Sequence, residues 1–179
     1  MLDILTIIFW LTWAIATALA LSFGAVLLFG APYLPTLKKT QEDALDLLDL
    51  KNGQTVVDLG CGDGRFLRAA ASRGLNAVGY ELNPFLAFTA WLITRAYRKQ
   101  VKVTWGSFWR ADISAADGVY VFLIERHMKR LDGFLSKQKK PRRLKVVSHA
   151  FKIPGRKPTT QKDALFLYQY QPVRVAHLL

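Results

Sequence analysis

The residues best suited to chemistry lie in one stretch, Thr55-Val-Val-Asp-Leu-Gly-Cys-Gly-Asp-Gly-Arg65. Thr55, Val56 and Val57 are β-branched and suit a strand in the middle of a sheet. Gly60, Gly62 and Gly64 then follow at alternate positions. Glycine lets a backbone turn tightly and lets a ligand approach without meeting a Cβ. The helix expected behind this loop, about Arg65 to Arg73, aims free N–H groups and its positive dipole end at the same place. A nucleotide site of this kind pairs with an acidic residue at the end of the next strand, about 20 residues on, that grips ribose hydroxyls. Glu81 fits: it ends Ala77-Val-Gly-Tyr-Glu81, just before Leu82-Asn83-Pro84. The chemistry predicted is the holding of a ribose-bearing cofactor.

The glycine spacing separates two cofactor classes. A dinucleotide fingerprint, G-x-G-x-x-G, would require glycine where Arg65 stands, and the third glycine comes one residue early, at Gly64. The run Asp58-Leu-Gly-Cys-Gly-Asp-Gly64 resembles the first motif of class I S-adenosylmethionine-dependent methyltransferases. That resemblance implies S-adenosyl-L-methionine as cofactor. It would be held by Asp58, Gly60, Cys61, Gly62, Asp63, Gly64 and Glu81, with Leu82 and Asn83 beside them. Cys61 is the single cysteine of the chain, so no intrachain disulfide can form. With no histidine near it in sequence, it reads as a small residue packed in the loop rather than a nucleophile.

Other elements must position this loop. The 179 residues allow one modest domain and an appendage. No charged residue stands between Ile4 and Leu37, and Ile4 to Phe29 is almost continuously apolar. At about 1.5 Å per residue this run crosses a hydrocarbon layer of about 30 Å. A cleaved signal peptide is the competing reading, but it favours a basic start and a shorter run, whereas this chain opens Met-Leu-Asp. Lys38 and Lys39 follow the apolar run. Positive charge stays inside, so the remaining chain is expected on the cytosolic side, or the matrix side in an organelle. The division expected is an anchor over 1–30 and a catalytic domain over 31–179. Gly30-Ala-Pro-Tyr-Leu-Pro-Thr36 breaks the two apart with a pair of prolines. Thr40 is expected to cap a helix carrying Ala44, Leu45 and Leu48, and Lys51-Asn-Gly-Gln54 to turn the chain into the first strand.

Beyond Glu81 the pattern predicts a helix from about Phe85 to Arg98, with Phe85, Phe88, Trp91 and Tyr97 mostly in the core and one of them available to the adenine. Strands are predicted at Val101–Trp105, Gly118–Leu123 and Leu144–Ser148. Ala164–Tyr170 and Val173–His177 read as a closing hairpin. Ligands in open α/β sheets bind outside the carboxyl ends of the strands. Glu125 and His127, just past the fourth strand, are therefore candidates for handling a proton, against the alternative that they are solvated on the first turn of the next helix. Nine Lys or Arg lie from Arg126 to Lys145, within a net charge of +12. This basic segment suits an anionic lipid surface. No recognition motif favours nucleic acid, and the scattered histidines offer no metal site.

Taken together, Gly30-Ala-Pro-Tyr-Leu-Pro-Thr36, Val57-Asp-Leu-Gly-Cys-Gly-Asp-Gly-Arg65, Gly79-Tyr-Glu-Leu-Asn-Pro84 and Phe151-Lys-Ile-Pro-Gly155 resemble the membrane-anchored class I methyltransferases that methylate a lysine of the ATP synthase c-subunit or of the adenine nucleotide translocase. The resemblance implies an α/β Rossmann-like sheet with helices on both faces behind one N-terminal transmembrane helix. It also implies Tyr33 and Thr36 near the cofactor, and a lysine of a membrane protein as acceptor. Ser107, followed by Phe108, stands where many such enzymes carry an acidic residue for the adenine amino group, so that contact falls to the backbone or is weaker. Methylation of a lipid or quinone, and a non-catalytic membrane-tethered cofactor-binding or assembly factor, are the alternatives.

Overall fold

The structure, a computed structural model, describes residues 3–29, 36–138 and 142–172. Its centre is a seven-stranded sheet in the order β3-β2-β1-β4-β5-β7-β6. The strands are β1 (Thr55–Leu59), β2 (Asn76–Glu81), β3 (Val101–Trp105), β4 (Gly118–Val121), β5 (Leu144–His149), β6 (Thr160–Lys162) and β7 (Leu165–Tyr170). The first five run parallel; β7 is antiparallel to β5, and β6 to β7. The helices are α1 (Ile4–Phe29), α2 (Lys38–Leu48), α3 (Arg65–Ser72), α4 (Pro84–Ile93) and α5 (Met128–Lys137).

Alternation along the strands builds a core on each face. Val56, Ala77, Tyr120 and Val147 meet Leu45 and Leu48 of α2 and Phe66 and Leu67 of α3. Their neighbours Val57, Val119, Val121 and Val146 meet Met128, Leu131 and Leu135 of α5. The sheet is thus covered on both sides, as parallel sheets require. The chain leaves β1 for β2 and β3 on one side and returns to β4 on the other, so the crevice at the carboxyl ends of β1 and β4 is the ligand-binding position of such a sheet.

Several expectations shift. Helix α2 begins at Lys38, two residues before Thr40; Leu37 occupies its N-cap position without a side-chain bond, while Gln41 Nε2 donates to the Thr36 carbonyl at 2.7 Å. Strand β4 ends at Val121 rather than Leu123. Helix α4 stops at Ile93, and a single 3-10 turn covers Arg95–Tyr97. Thr94 marks the break, its hydroxyl donating back to the Ala90 carbonyl at 2.7 Å. The closing hairpin pairs β7 with Thr160–Lys162, upstream of it; 173–177 lies outside the described residues. The fully exposed Thr160–Lys162 carries no apolar pattern to announce it.

The largest correction concerns α4. Its buried residues are Ala87 and Ala90, with Asn83 and Thr94 at its two ends. This small-residue face is the one that packs, so Phe85, Phe88 and Trp91, expected mostly in the core, are exposed. Helix α1 rests against α4, and Asn83 Nδ2 donates to Ser22 Oγ at 3.4 Å. Within α1, Ile4–Gly24 is long and apolar enough to cross a membrane.

Candidate functional site

The loop after β1 is pinned to β2 by its own backbone. The amides of Gly60 and Cys61 both donate to the Tyr80 carbonyl, at 3.0 and 2.9 Å, and Gly64 N closes a turn onto Cys61 O at 2.9 Å. All three loop glycines have positive φ, and each does a different job. Gly60, at φ 107°, faces open space: a Cβ there would meet nothing within 4 Å. Gly62, at φ 55°, presents its amide to Glu81 Oε2 at 2.9 Å. Gly64, at φ 82°, is where α4 crosses: a Cβ would lie 2.8 Å from Ala90 Cα. Gly64→Ala is accordingly expected to destabilise the fold by about 2–5 kcal/mol, from left-handed strain plus overpacking. That is a fall in Tm of roughly 5–15 °C. Gly60→Ala should cost only the strain and leave α4 in place. Thermal melts of the two variants check this contrast; equal losses would contradict the division of labour.

Glu81 is the hub of the site. It is buried, and its second carboxylate oxygen, Oε1, accepts from Asn83 N at 2.8 Å. Its own carbonyl accepts from Gly106 N at 2.8 Å, which draws the end of β3 alongside. One carboxylate therefore sets the glycine loop and the entry to α4 at once. Asp58 lies on the neighbouring strand β1, in register with Gly79. It is 3% exposed, and its Oδ1 has no hydrogen-bond partner among the described residues. Burial, then the nearby charges of Glu81 and Asp63, push its titration well above the usual carboxylate range. A buried carboxyl oxygen without a partner, two residues before an open glycine, makes Asp58 a candidate functional group.

The other predicted residues divide. Cys61 is buried, its sulfur filling the space left by Gly79, where a Cβ would lie 2.7 Å from Sγ. Burial raises its thiol further above neutrality, so it is inert at neutral pH. Asp63 holds Arg65 in an ion pair at 2.5 Å at the start of α3. Asn83 is committed to structure: Oδ1 caps α4 by accepting from Phe85 N at 2.9 Å and Leu86 N at 3.3 Å. Leu82 is exposed beside Glu81, and its carbonyl accepts from Trp105 Nε1 at 3.1 Å. Ser107 follows Gly106 and is exposed, while Phe108 turns under it to pack against Trp109, ring centroids 4.4 Å apart. Glu125 is exposed on a 3-10 turn; His127 on the same turn is half-buried, its ring edge-on to Trp109. Tyr33 lies outside the described residues.

Two residues escaped the sequence reading. Tyr120 of β4 places its hydroxyl 3.3 Å from Thr36 Oγ1 and 3.2 Å from His149 Nδ1. Its ring stacks on Phe66 at 4.2 Å, and the His149 ring lies 4.1 Å from Phe122. Burial pushes the Tyr120 phenol up and the His149 imidazole down, so both are neutral at pH 7. A neutral imidazole accepts at one nitrogen, which lets Tyr120 donate to His149 and accept from Thr36. Tyr120 pairs with Val147 in register, which brings His149 to the same face. Thr36, at the foot of the linker from α1, is thereby tied to β4 and β5. Among the described residues no group of three His, Cys, Asp or Glu side chains could hold a metal ion.

Comparison with known proteins places the chain in a family. The model of the ANTKMT methyltransferase domain matches residues 58–160. A protein-lysine N-methyltransferase of Saccharolobus islandicus is 34% identical over 131 residues, covering 71% of this chain and 81% of that protein. The human lysine N-methyltransferase of the ATP synthase c-subunit is 34% identical over 111 residues, 60% of this chain and 46% of that protein. The mouse adenine nucleotide translocase lysine N-methyltransferase is 34% identical over 130 residues, 71% and 56%. The chain thus spans about half the length of these two animal relatives. Among solved structures, an RNA methyltransferase from Salinibacter ruber in complex with S-adenosyl-L-homocysteine superposes with a TM-score of 0.70 at 29% identity, covering 80% of this chain and 97% of that one. With a glycine loop held by Glu81, and a match running from Asp58 through the start of β6, this chain belongs to the ANTKMT methyltransferase domain family.

Proposed function

We propose that this chain is an S-adenosylmethionine-dependent protein-lysine N-methyltransferase acting on a membrane protein. The observation that carries the cofactor is the buried, partnerless Asp58 oxygen on the strand next to that of Glu81, two residues before the open space at Gly60. S-adenosylmethionine carries a positive amino group, a sulfonium and a ribose, which suits two buried carboxylates and a loop without side chains. Relatives named as lysine methyltransferases support the acceptor class.

When bound, the cofactor supplies a methyl group on a sulfonium sulfur, open to displacement by an amine lone pair. The protein's part is alignment and desolvation. Asp58 accepts hydrogen bonds from the ligand's cationic end. Glu81 uses its remaining lone pairs on ribose hydroxyls, with Leu82, Ser107 and Phe108 flanking the base. Thr36, held against Tyr120, closes the site. The acceptor lysine must be neutral, although its ordinary pKa is about 10.4. Removal from water beside a cation lowers that value, so a dedicated base is not essential. Glu125 and His127, at the exit of β4, are the groups able to relay the departing proton to solvent.

Residues 1–30 anchor the chain and 31–179 form the catalytic domain, on the cytosolic side or its matrix equivalent, since Lys38 and Lys39 follow the span. Anchoring raises the local concentration of membrane-borne acceptors. Arg126, Lys129 and Arg130, the first part of the basic segment, border the same end of the sheet and favour an anionic surface there.

The test incubates the full-length protein in membranes with methyl-labelled S-adenosylmethionine. Label recovered as methyllysine in a membrane protein is expected. Label in extracted lipid or quinone, in RNA, or in nothing despite cofactor binding would overturn the lysine reading.

A further inference from the structure

Helix α4 has no charged residue, and its packed face is only alanine-wide. Its large side chains point outward: Phe88 is 63% exposed, Trp91 50% and Leu92 52%, with Trp105 of β3 at 69%. Phe88 and Trp91 stack at 5.8 Å, and with Trp105 they line a groove of about 270 Å³ between α4 and β3. A contiguous patch of this kind on a soluble surface marks an interaction site.

The surroundings say what covers it. Between Glu81 and Asp112 there is no acidic residue, while Arg95, Arg98, Lys99, Lys102 and Arg110 are all exposed. Arg95 lies over the Trp91 ring at 5.8 Å. The patch is also continuous with α1. Asn83, which caps α4, bonds to Ser22, the nineteenth residue of α1 counted from Ile4. Nineteen residues are about 28 Å of helix, close to the thickness of a hydrocarbon layer of about 30 Å, so the first turn of α4 stands near the level where α1 leaves the hydrocarbon. Tryptophan and phenylalanine ringed by Arg and Lys suit the boundary between headgroups and acyl chains.

We propose that the outer face of α4, with Trp105, is a second membrane contact that lies in the interfacial layer of an anionic bilayer. It rests on the reading of α1 as a membrane span. The consequence is positional: Asn83 joins the face to Glu81 through one backbone hydrogen bond, so seating α4 holds the cofactor loop beside the bilayer surface. A single helix would leave the domain free to swing; a second contact fixes its tilt.

The chain has five tryptophans, which gives a direct test. The full-length protein is reconstituted in mixed phosphatidylcholine–phosphatidylglycerol vesicles with lipids brominated at shallow or deep acyl positions. The W10F/W13F/W109F variant reports Trp91 and Trp105; W91F/W105F/W109F reports Trp10 and Trp13. The expected result is loss of most Trp91 and Trp105 emission to shallow bromines, with protection from acrylamide. Adding F88D and L92D, both at exposed positions, should restore acrylamide quenching. Trp91 and Trp105 fully open to acrylamide and untouched by bromines, while Trp10 and Trp13 are quenched, would overturn the docking and leave the anchor standing. Trp10 and Trp13 untouched while Trp91 and Trp105 are quenched would overturn the anchor alone. Protection that grows with protein-to-lipid ratio without bromine quenching would assign the face to a second copy of the chain and overturn the proposal.

Discussion

Replacing Asp58 by Asn is expected to make the ligand-free protein more stable and the cofactor-bound protein weaker. The carboxyl is buried without a partner at Oδ1, and its titration is pushed up by desolvation and by Glu81 and Asp63. The sign follows from that direction. The unfolded chain ionises Asp58 at the ordinary value of about 3.9, whereas the fold resists ionisation until a higher pH. Stability from this group is therefore present in full below the ordinary value and lost as pH rises through the raised one. Asn carries no such penalty, so the melting-temperature advantage of Asp58→Asn should be large at pH 7 and vanish toward pH 4. Each kcal/mol recovered moves Tm by about 2–4 °C in a chain of this size. Cofactor affinity should fall about 10- to 100-fold, because hydrogen bonds to a charged group are worth about 1.5–3 kcal/mol. A variant less stable than the parent at neutral pH, or one that binds as well, would show that Asp58 has a structural partner instead.

Glu81→Gln should behave in the opposite way before ligand is added. Glu81 accepts from two backbone amides, Gly62 N and Asn83 N, one at each oxygen. Glutamine keeps one acceptor and turns the other into a donor, so one buried amide faces an N–H group. Leaving it unsatisfied costs about 1–3 kcal/mol, and either the loop or the first turn of α4 must move. Both apo stability and cofactor binding are therefore expected to drop together. Melting curves with and without S-adenosylmethionine read both quantities. The pair of variants is informative because the two carboxyls differ in their partners, none at Asp58 Oδ1 and two backbone amides at Glu81: a general loss of charge would shift both melts the same way.

How much of this was legible in the sequence depended on whether the signal was local. Thr55–Leu59, Arg65–Ser72, Asn76–Glu81 and Val101–Trp105 were readable because β-branched runs, glycines and one acidic residue mark strand, turn and helix within a few residues. The place of Glu81 at the end of the second strand was implied by spacing, but its bond to the Gly62 amide was not. The outward face of α4 was not readable. Pro84–Ile93 is apolar all round, so no periodicity says which side packs, and only the approach of Ala90 to Gly64 decides it. The Thr36–Tyr120–His149 chain was hidden for a different reason: its members come from a linker and two strands and meet only through parallel register. The continuously apolar run Gly118–Leu123 marked Tyr120 as core, and nothing local distinguished a core tyrosine from one whose hydroxyl is shared. The capping role of Asn83, by contrast, was available from its place just before Pro84.

The central claim is that the crevice between β1, β2 and β4 is an S-adenosylmethionine pocket closed by Asp58 and Glu81. Calorimetric titration of the full-length protein in lipid nanodiscs with S-adenosylmethionine, and separately with NAD, tests it most directly. The account predicts saturable one-site binding of the first, none of the second, and loss of the signal in Glu81→Gln. Binding of NAD, or no binding of S-adenosylmethionine to a folded protein, would contradict it.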